Sequence, residues 1–155
     1  FPNIWHHGDF AEIKKTRGFI IHGRSDTTLN PGGVRLGTAE IYSEVEKFRE
    51  IKESIVVGQT WDNDVRVILF IVMSSKHKFT ENLVNKIKSE IRKNVSPRHV
   101  PSKVIKVRDI PRTKSGKIVE LAVKNIIEGN NIKNKEALAN PKVLKQFKNL
   151  KDLNI

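Results

Sequence analysis

The chain has 155 residues, 37% of them hydrophobic and 30% charged, which suits one domain or a small domain plus a fragment and excludes wholesale disorder. Cys is absent, so disulfides and thiolate-bound zinc are excluded. A net charge of +12 points to an anionic partner, for which nucleic acid, nucleotides and coenzyme A all qualify.

The chain opens FPNIWHHGDF, without Met, a basic leader or an apolar leader, and reads as a piece of a longer protein. DFAEIKKTRGFIIHG, residues 9–23, predicts a hairpin whose turn KKTRG can take a positive φ at Gly18. Residues 24–37 are dense in turn formers, with Asn30-Pro31-Gly32-Gly33 the strongest loop signal. Thr38 is placed to cap a helix that buries Ile41, Val45 and Phe48, with Glu40 favourable in its first turn. SIVVGQTWDND and VRVILFIVM predict two antiparallel strands joined through Asp62-Asn63-Asp64. Val67–Met73 is the longest apolar run, too short to cross a bilayer and suited to a buried strand.

Thr80 predicts the cap of a second helix with the stripe Leu83, Ile87 and Ile91, joined more loosely by Val84 and Val95, and Ser96-Pro97 ends it. SKVIKV, residues 102–107, is a third strand. Residues 118–127 predict a third helix stopped by Gly129, and Pro141 opens a last one, PKVLKQFKNL. The expected class is α+β: β-hairpins, then a small antiparallel sheet of about three strands packed with helices.

Three polar clusters fall on predicted loops. In WHHGDF, Asp9 can accept two hydrogen bonds from a vicinal diol such as ribose, although a turn Asp bonding its own backbone looks the same. GRSDTTLNPGGVRLGTAEI sets Arg24 and Arg35 about a Gly-rich loop, a pattern fit for phosphate and equally for a solvated hairpin. PRTKSGK puts Lys117 at a flexible turn, where it is either a solubilising residue or a lysine delivered to an anion. The five histidines show no metal spacing; adjacent His6 and His7 could bind one, with loop or core packing the commoner role. No GxxxxGK[ST] or GxSxG occurs.

In this order the three clusters resemble the motifs of the adenylate-forming enzymes: acyl-CoA synthetases, luciferases and peptide-synthetase adenylation domains. WHHGD resembles Tyr/Trp-x-x-Gly-Asp, with His7 where relatives often carry Thr or Ser. GRSD followed by GVRLGTAEI resembles the hinge motif, and PRTKSGK the catalytic-lysine motif. The resemblance implies that residues 1–25 close a large adenylation domain and that 26–155 form a mobile domain after the hinge residue Asp26. It implies ribose and phosphate contacts for Asp9, Arg24 and Arg35. It implies coenzyme A contacts for Gly32, Gly33 and Arg92, and a catalytic role for Lys117. The substrates implied are ATP with Mg2+ (the metal held mainly by the nucleotide and the large domain), coenzyme A and a small acid.

SGKIVELAVKNIIEG and the tail KEALANPKVLKQFKNL resemble the acetoacetate-using members of the family, which implies acetoacetate as that acid; another short-chain or fatty acid is the alternative. The partners expected are these small molecules and the large domain, with no membrane. The compartment expected is the cytoplasm, and this stretch alone is expected to be inactive. The rival reading, a basic nucleic-acid-binding module, explains the charge. Aromatics, however, are only 6% and are not interleaved with the basic residues as a stacking platform requires.

Overall fold

The computed structural model describes residues 4, 8–24, 27–132 and 135–154, with backbone alone at 9, 10 and 22–24. Strands β1 (Asp9–Ile13) and β2 (Phe19–Arg24) form the expected antiparallel hairpin. The positive φ of its turn falls on Arg17 (63°) and not on Gly18. The Lys14 N–H donates to the Gly18 carbonyl and the Arg17 N–H to the Lys14 carbonyl, which places the left-handed residue one position earlier.

Helix α1 (Ala39–Val45) buries Ile41 and Val45, and Phe48 packs just beyond it. Thr38 does not cap it. Its backbone is already helical (φ −85°, ψ −19°), whereas a capping side chain needs the extended region. Strands β3 (Ile51–Trp61) and β4 (Asp64–Met73) pair antiparallel from end to end. Asp62 and Asn63, at φ 49° and 60°, make the tight turn, a geometry that Asn and Asp tolerate. Helix α2 (Glu81–Asn94) starts as the sequence predicts: Thr80 is extended and its Oγ1 accepts the Leu83 N–H at 3.3 Å.

Strand β5 (Lys103–Val107) joins β4, giving the order β3-β4-β5. Its pairing is parallel, not antiparallel as expected. Helix α2 carries the chain from the end of β4 back along the sheet, so β5 re-enters in the same direction. The sheet is covered on both faces. Val56, Val67, Leu69 and Ile71 pack against α1 and α2, while Ile55, Val57, Ile68 and Phe70 pack against α3 (Glu120–Ile127) and the C-terminal segment. A central strand buried on both sides has no polar face, which explains the unbroken apolar run in β4.

Helix α3 starts two residues later than predicted, because Ile118 and Val119 return from the Lys117 turn as extended chain bonded to Arg112 and Pro111. The predicted last helix is 3₁₀ over Pro141–Phe147 and again over Lys151–Leu153. Leu144 and Phe147 lie one three-residue turn apart in the first segment and face the core; the chain breaks at 148–150, where Asn149 takes φ 52°, and Leu153 of the second segment is buried against the same core.

Candidate active site

The register of β1 and β2 sets Asp9 opposite Arg24, so the first two nucleotide-binding candidates are cross-strand neighbours. The bulge between Phe10 and Ala11 separates this pair from the regular end of the hairpin. Asp26, His6 and His7 lie outside the described residues.

Gly32 and Gly33 form a short 3₁₀ turn (Pro31–Gly33) at φ 58° and 76°, a backbone that favours glycine. The loop is closed at its base by reciprocal backbone hydrogen bonds between Leu29 and Leu36, both buried. At its tip the Gly32 N–H donates to both carboxylate oxygens of Asp64, at 2.9 and 3.0 Å. Nothing in the sequence marks Asp64, whose DND turn reads only as a hairpin. A Cβ built on either glycine meets nothing within 4 Å, so the turn presents bare backbone to its surroundings. Arg35 follows it and is exposed.

Amide donors from Val65 first, and then Gly32, hold the Asp64 carboxyl below the usual carboxylate range. Its anchoring of the turn is therefore fully present above the ordinary carboxylate pKa and is lost as pH falls through the lowered value. Hydrogen exchange of the Gly32 amide tests this. Protection is expected at pH 6 and should be lost on acidification well before the sheet amides exchange; equal loss at both would contradict it.

Lys117 is exposed and sits in a second pinned turn. The Thr113 N–H donates to the Lys117 carbonyl at 2.9 Å, and the Lys117 N–H to Thr113 Oγ1 at 3.1 Å. Gly116 supplies φ 83° between them. The Arg112 guanidinium donates to the Gly116 carbonyl at 2.8 Å and pairs with Glu53 at 3.2 Å. Beneath the turn, the Tyr42 hydroxyl donates to Glu120 at 2.5 Å and accepts the Val56 N–H of the edge strand at 3.0 Å. Burial, reinforced by the Glu120 charge, pushes the phenol far above its ordinary value and keeps it a donor.

These contacts separate the candidates into two groups. The Lys117 turn leans on Glu53, at the start of β3, and the Gly32–Gly33 turn leans on Asp64, beside the strand's far end at Trp61. Eight residue steps of strand separate Glu53 from Trp61, about 26 Å. Arg92 is exposed in the last turn of α2, where Asn94 donates to Glu44 of α1. Helix α2 runs back from beyond Met73, and β5 then enters beside Ile68, toward the Asp64 end.

The profile of the family described as AMP-binding enzyme C-terminal domain matches residues 40–117, half of the chain. Acetoacetyl-coenzyme A synthetase of Rhizobium meliloti is 58% identical over 153 residues, covering 99% of this chain and 24% of that protein. Acetoacetyl-CoA synthetase of Gallus gallus is 47% identical over 155 residues, again 99% of this chain and 23% of the relative. The solved structure of acetoacetyl-CoA synthetase from Streptomyces lividans superposes with a TM-score of 0.85 at 36% identity, over 100% of this chain and 24% of that one. The chain thus spans about a quarter of the length of the relatives it matches. With the lysine turn and the α+β sheet of that domain in place, the chain belongs to the AMP-binding enzyme C-terminal domain family.

Proposed function

We propose that the chain is the C-terminal part of an ATP-dependent acid–CoA ligase whose acid is acetoacetate. One observation carries the reading: the Lys117 turn and the Gly32–Gly33 turn stand at opposite ends of one β-hairpin, about 26 Å apart along the strand. Two surfaces so far apart cannot serve one reacting centre together. They can serve it in succession if the domain turns between steps. The identity with acetoacetyl-CoA synthetases, which extends through the tail, supports acetoacetate as the acid.

In the first step the acid carboxylate attacks the α-phosphate of ATP and pyrophosphate leaves. Charge builds on the phosphate and bridging oxygens, where the Lys117 ammonium stabilises it and aligns the carboxylate. Asp9 and Arg24 hold the ribose, and Arg35 assists at the phosphates. Rotation about Asp26 then withdraws Lys117 and brings the glycine turn, free of side chains, to the path of the coenzyme A thiol. Arg92 meets the coenzyme's phosphate. The thiol attacks the acyl-adenylate, and AMP leaves. Magnesium belongs mainly with the nucleotide and the large domain in this reading.

Residues 1–25 are assigned to the large domain. The exposure of Ile13 (69%), Phe19 (69%) and Ile21 (59%) on the β1–β2 hairpin supports this, since so much apolar surface on one small hairpin calls for a covering partner. No helix among the described residues is long and apolar enough to cross a membrane.

Arg92→Ala in the full-length enzyme tests the coenzyme A assignment. Loss of a charge-assisted contact to phosphate, about 1.5–3 kcal/mol, raises the KM for coenzyme A roughly tenfold to a hundredfold and leaves that for ATP unchanged. An unchanged KM for coenzyme A removes Arg92 from the site. Tight oligonucleotide binding with a steep salt slope, weakened alike by many Lys→Ala changes, would favour the nucleic-acid module instead.

A further inference from the structure

Resting on the adenylation role of Lys117, we propose that Arg112 is its positioning residue, fixing the Lys117 turn through a clamp whose other jaws are Glu53 and the tail segment 137–140. The turn needs one. Residues 114–117 are all exposed, and a Cβ on Gly116 would touch nothing within 4 Å, so little packing holds the tip.

Arg112 is held from both sides. Its N–H donates to Asn140 Oδ1 at 2.9 Å, and its carbonyl accepts the Ala139 N–H at 2.8 Å. Asn140 is itself fixed by donating to the Ile110 carbonyl and to Asp109. The Lys114 N–H adds a bond to the Ala137 carbonyl at 3.1 Å, and the tail lies along the turn through an isolated antiparallel bridge between Thr113 and Leu138. On the other side, one guanidinium nitrogen holds the Gly116 carbonyl and the second holds Glu53, which is built into β3.

The Gly116 carbonyl belongs to the peptide that leads into Lys117. Fixing that peptide plane fixes the direction in which the lysine leaves the turn. A planar two-pronged donor can hold a carbonyl and a carboxylate at once in set directions; a lysine ammonium lacks that fork. The pair is partly exposed (33% and 25% for the two side chains), so its contribution to folding is small. A misplacement of even about 1 Å at a reacting centre, in contrast, costs up to 10²-fold in rate.

The experiment uses the full-length enzyme with Arg112→Lys, Glu53→Ala, Lys117→Ala and the double variant Arg112→Lys/Lys117→Ala. Acetoacetate-dependent pyrophosphate exchange reads adenylation, supplied acyl-adenylate plus coenzyme A reads the second step, and Tm reads folding. Arg112→Lys and Glu53→Ala are expected to slow adenylation about tenfold or more, with the second step and Tm unchanged. The double variant is expected to be no slower than Lys117→Ala alone, because Arg112 acts through the lysine. Normal adenylation in Arg112→Lys and Glu53→Ala beside a crippled Lys117→Ala overturns the clamp alone, as do losses that multiply in the double variant. Normal adenylation in Lys117→Ala overturns the reading beneath it and the clamp with it.

Discussion

Lys117→Ala is expected to slow acyl-adenylate formation by the full-length enzyme roughly 10²–10³-fold, about 2.7–4 kcal/mol, the scale of losing one preorganised charge contact at a developing oxyanion. The size of the effect follows from the turn. Lys117 is held at its own N–H and carbonyl by Thr113, and the preceding peptide is held by Arg112. Its backbone is therefore in place before substrate arrives, which leaves only the side chain to order at the moment of reaction. Alanine leaves these backbone bonds intact, so Tm should hold while pyrophosphate exchange falls. A simultaneous fall in Tm would mean that Lys117 has a structural role.

Phe147→Ala is expected to destabilise the domain by about 3–5 kcal/mol. The ring is fully buried and meets Phe70 of the central strand edge-on, with centroids 5.0 Å apart at 85°. Against a typical stability of about 5–15 kcal/mol, such a loss is a large fraction of the whole. It should register in urea denaturation as a lower midpoint at an unchanged m-value. The tail that Phe147 pins also lies along the Lys117 turn, through Ala137, Ala139 and Asn140. A midpoint close to that of the unsubstituted protein would show that the 3₁₀ tail contributes little to the core.

What the sequence made legible was local. Thr80 and Ser96-Pro97 bracket α2 in the structure as in the sequence, and the apolar run of β4 announces a strand buried on both faces. The three loop clusters could be read because the resemblance rests on residues close together in the chain. Pairing direction was not legible: a five-residue alternating strand such as β5 fits either neighbour direction, and the α2 crossover decides. The 3₁₀ tail was not legible either, since the spacing of Leu144 and Phe147 suits an α-helix as well and nothing in the sequence marks the break at 148–150. Arg112–Glu53 and Gly32–Asp64 left no signal, since each joins residues far apart in sequence whose types are ordinary on a surface. The separation of the two turns along β3 likewise appears only when the strands are paired.

Measuring both half-reactions of the Lys117→Ala enzyme side by side tests the two-surface account most directly. Pyrophosphate exchange driven by acetoacetate reports the step proposed for the lysine turn. Thioester formation from supplied acetoacetyl-adenylate and coenzyme A reports the step proposed for the glycine turn at the other end of the hairpin. The account predicts a collapse of the first with the second close to the unsubstituted rate. An equal fall in both half-reactions would contradict it.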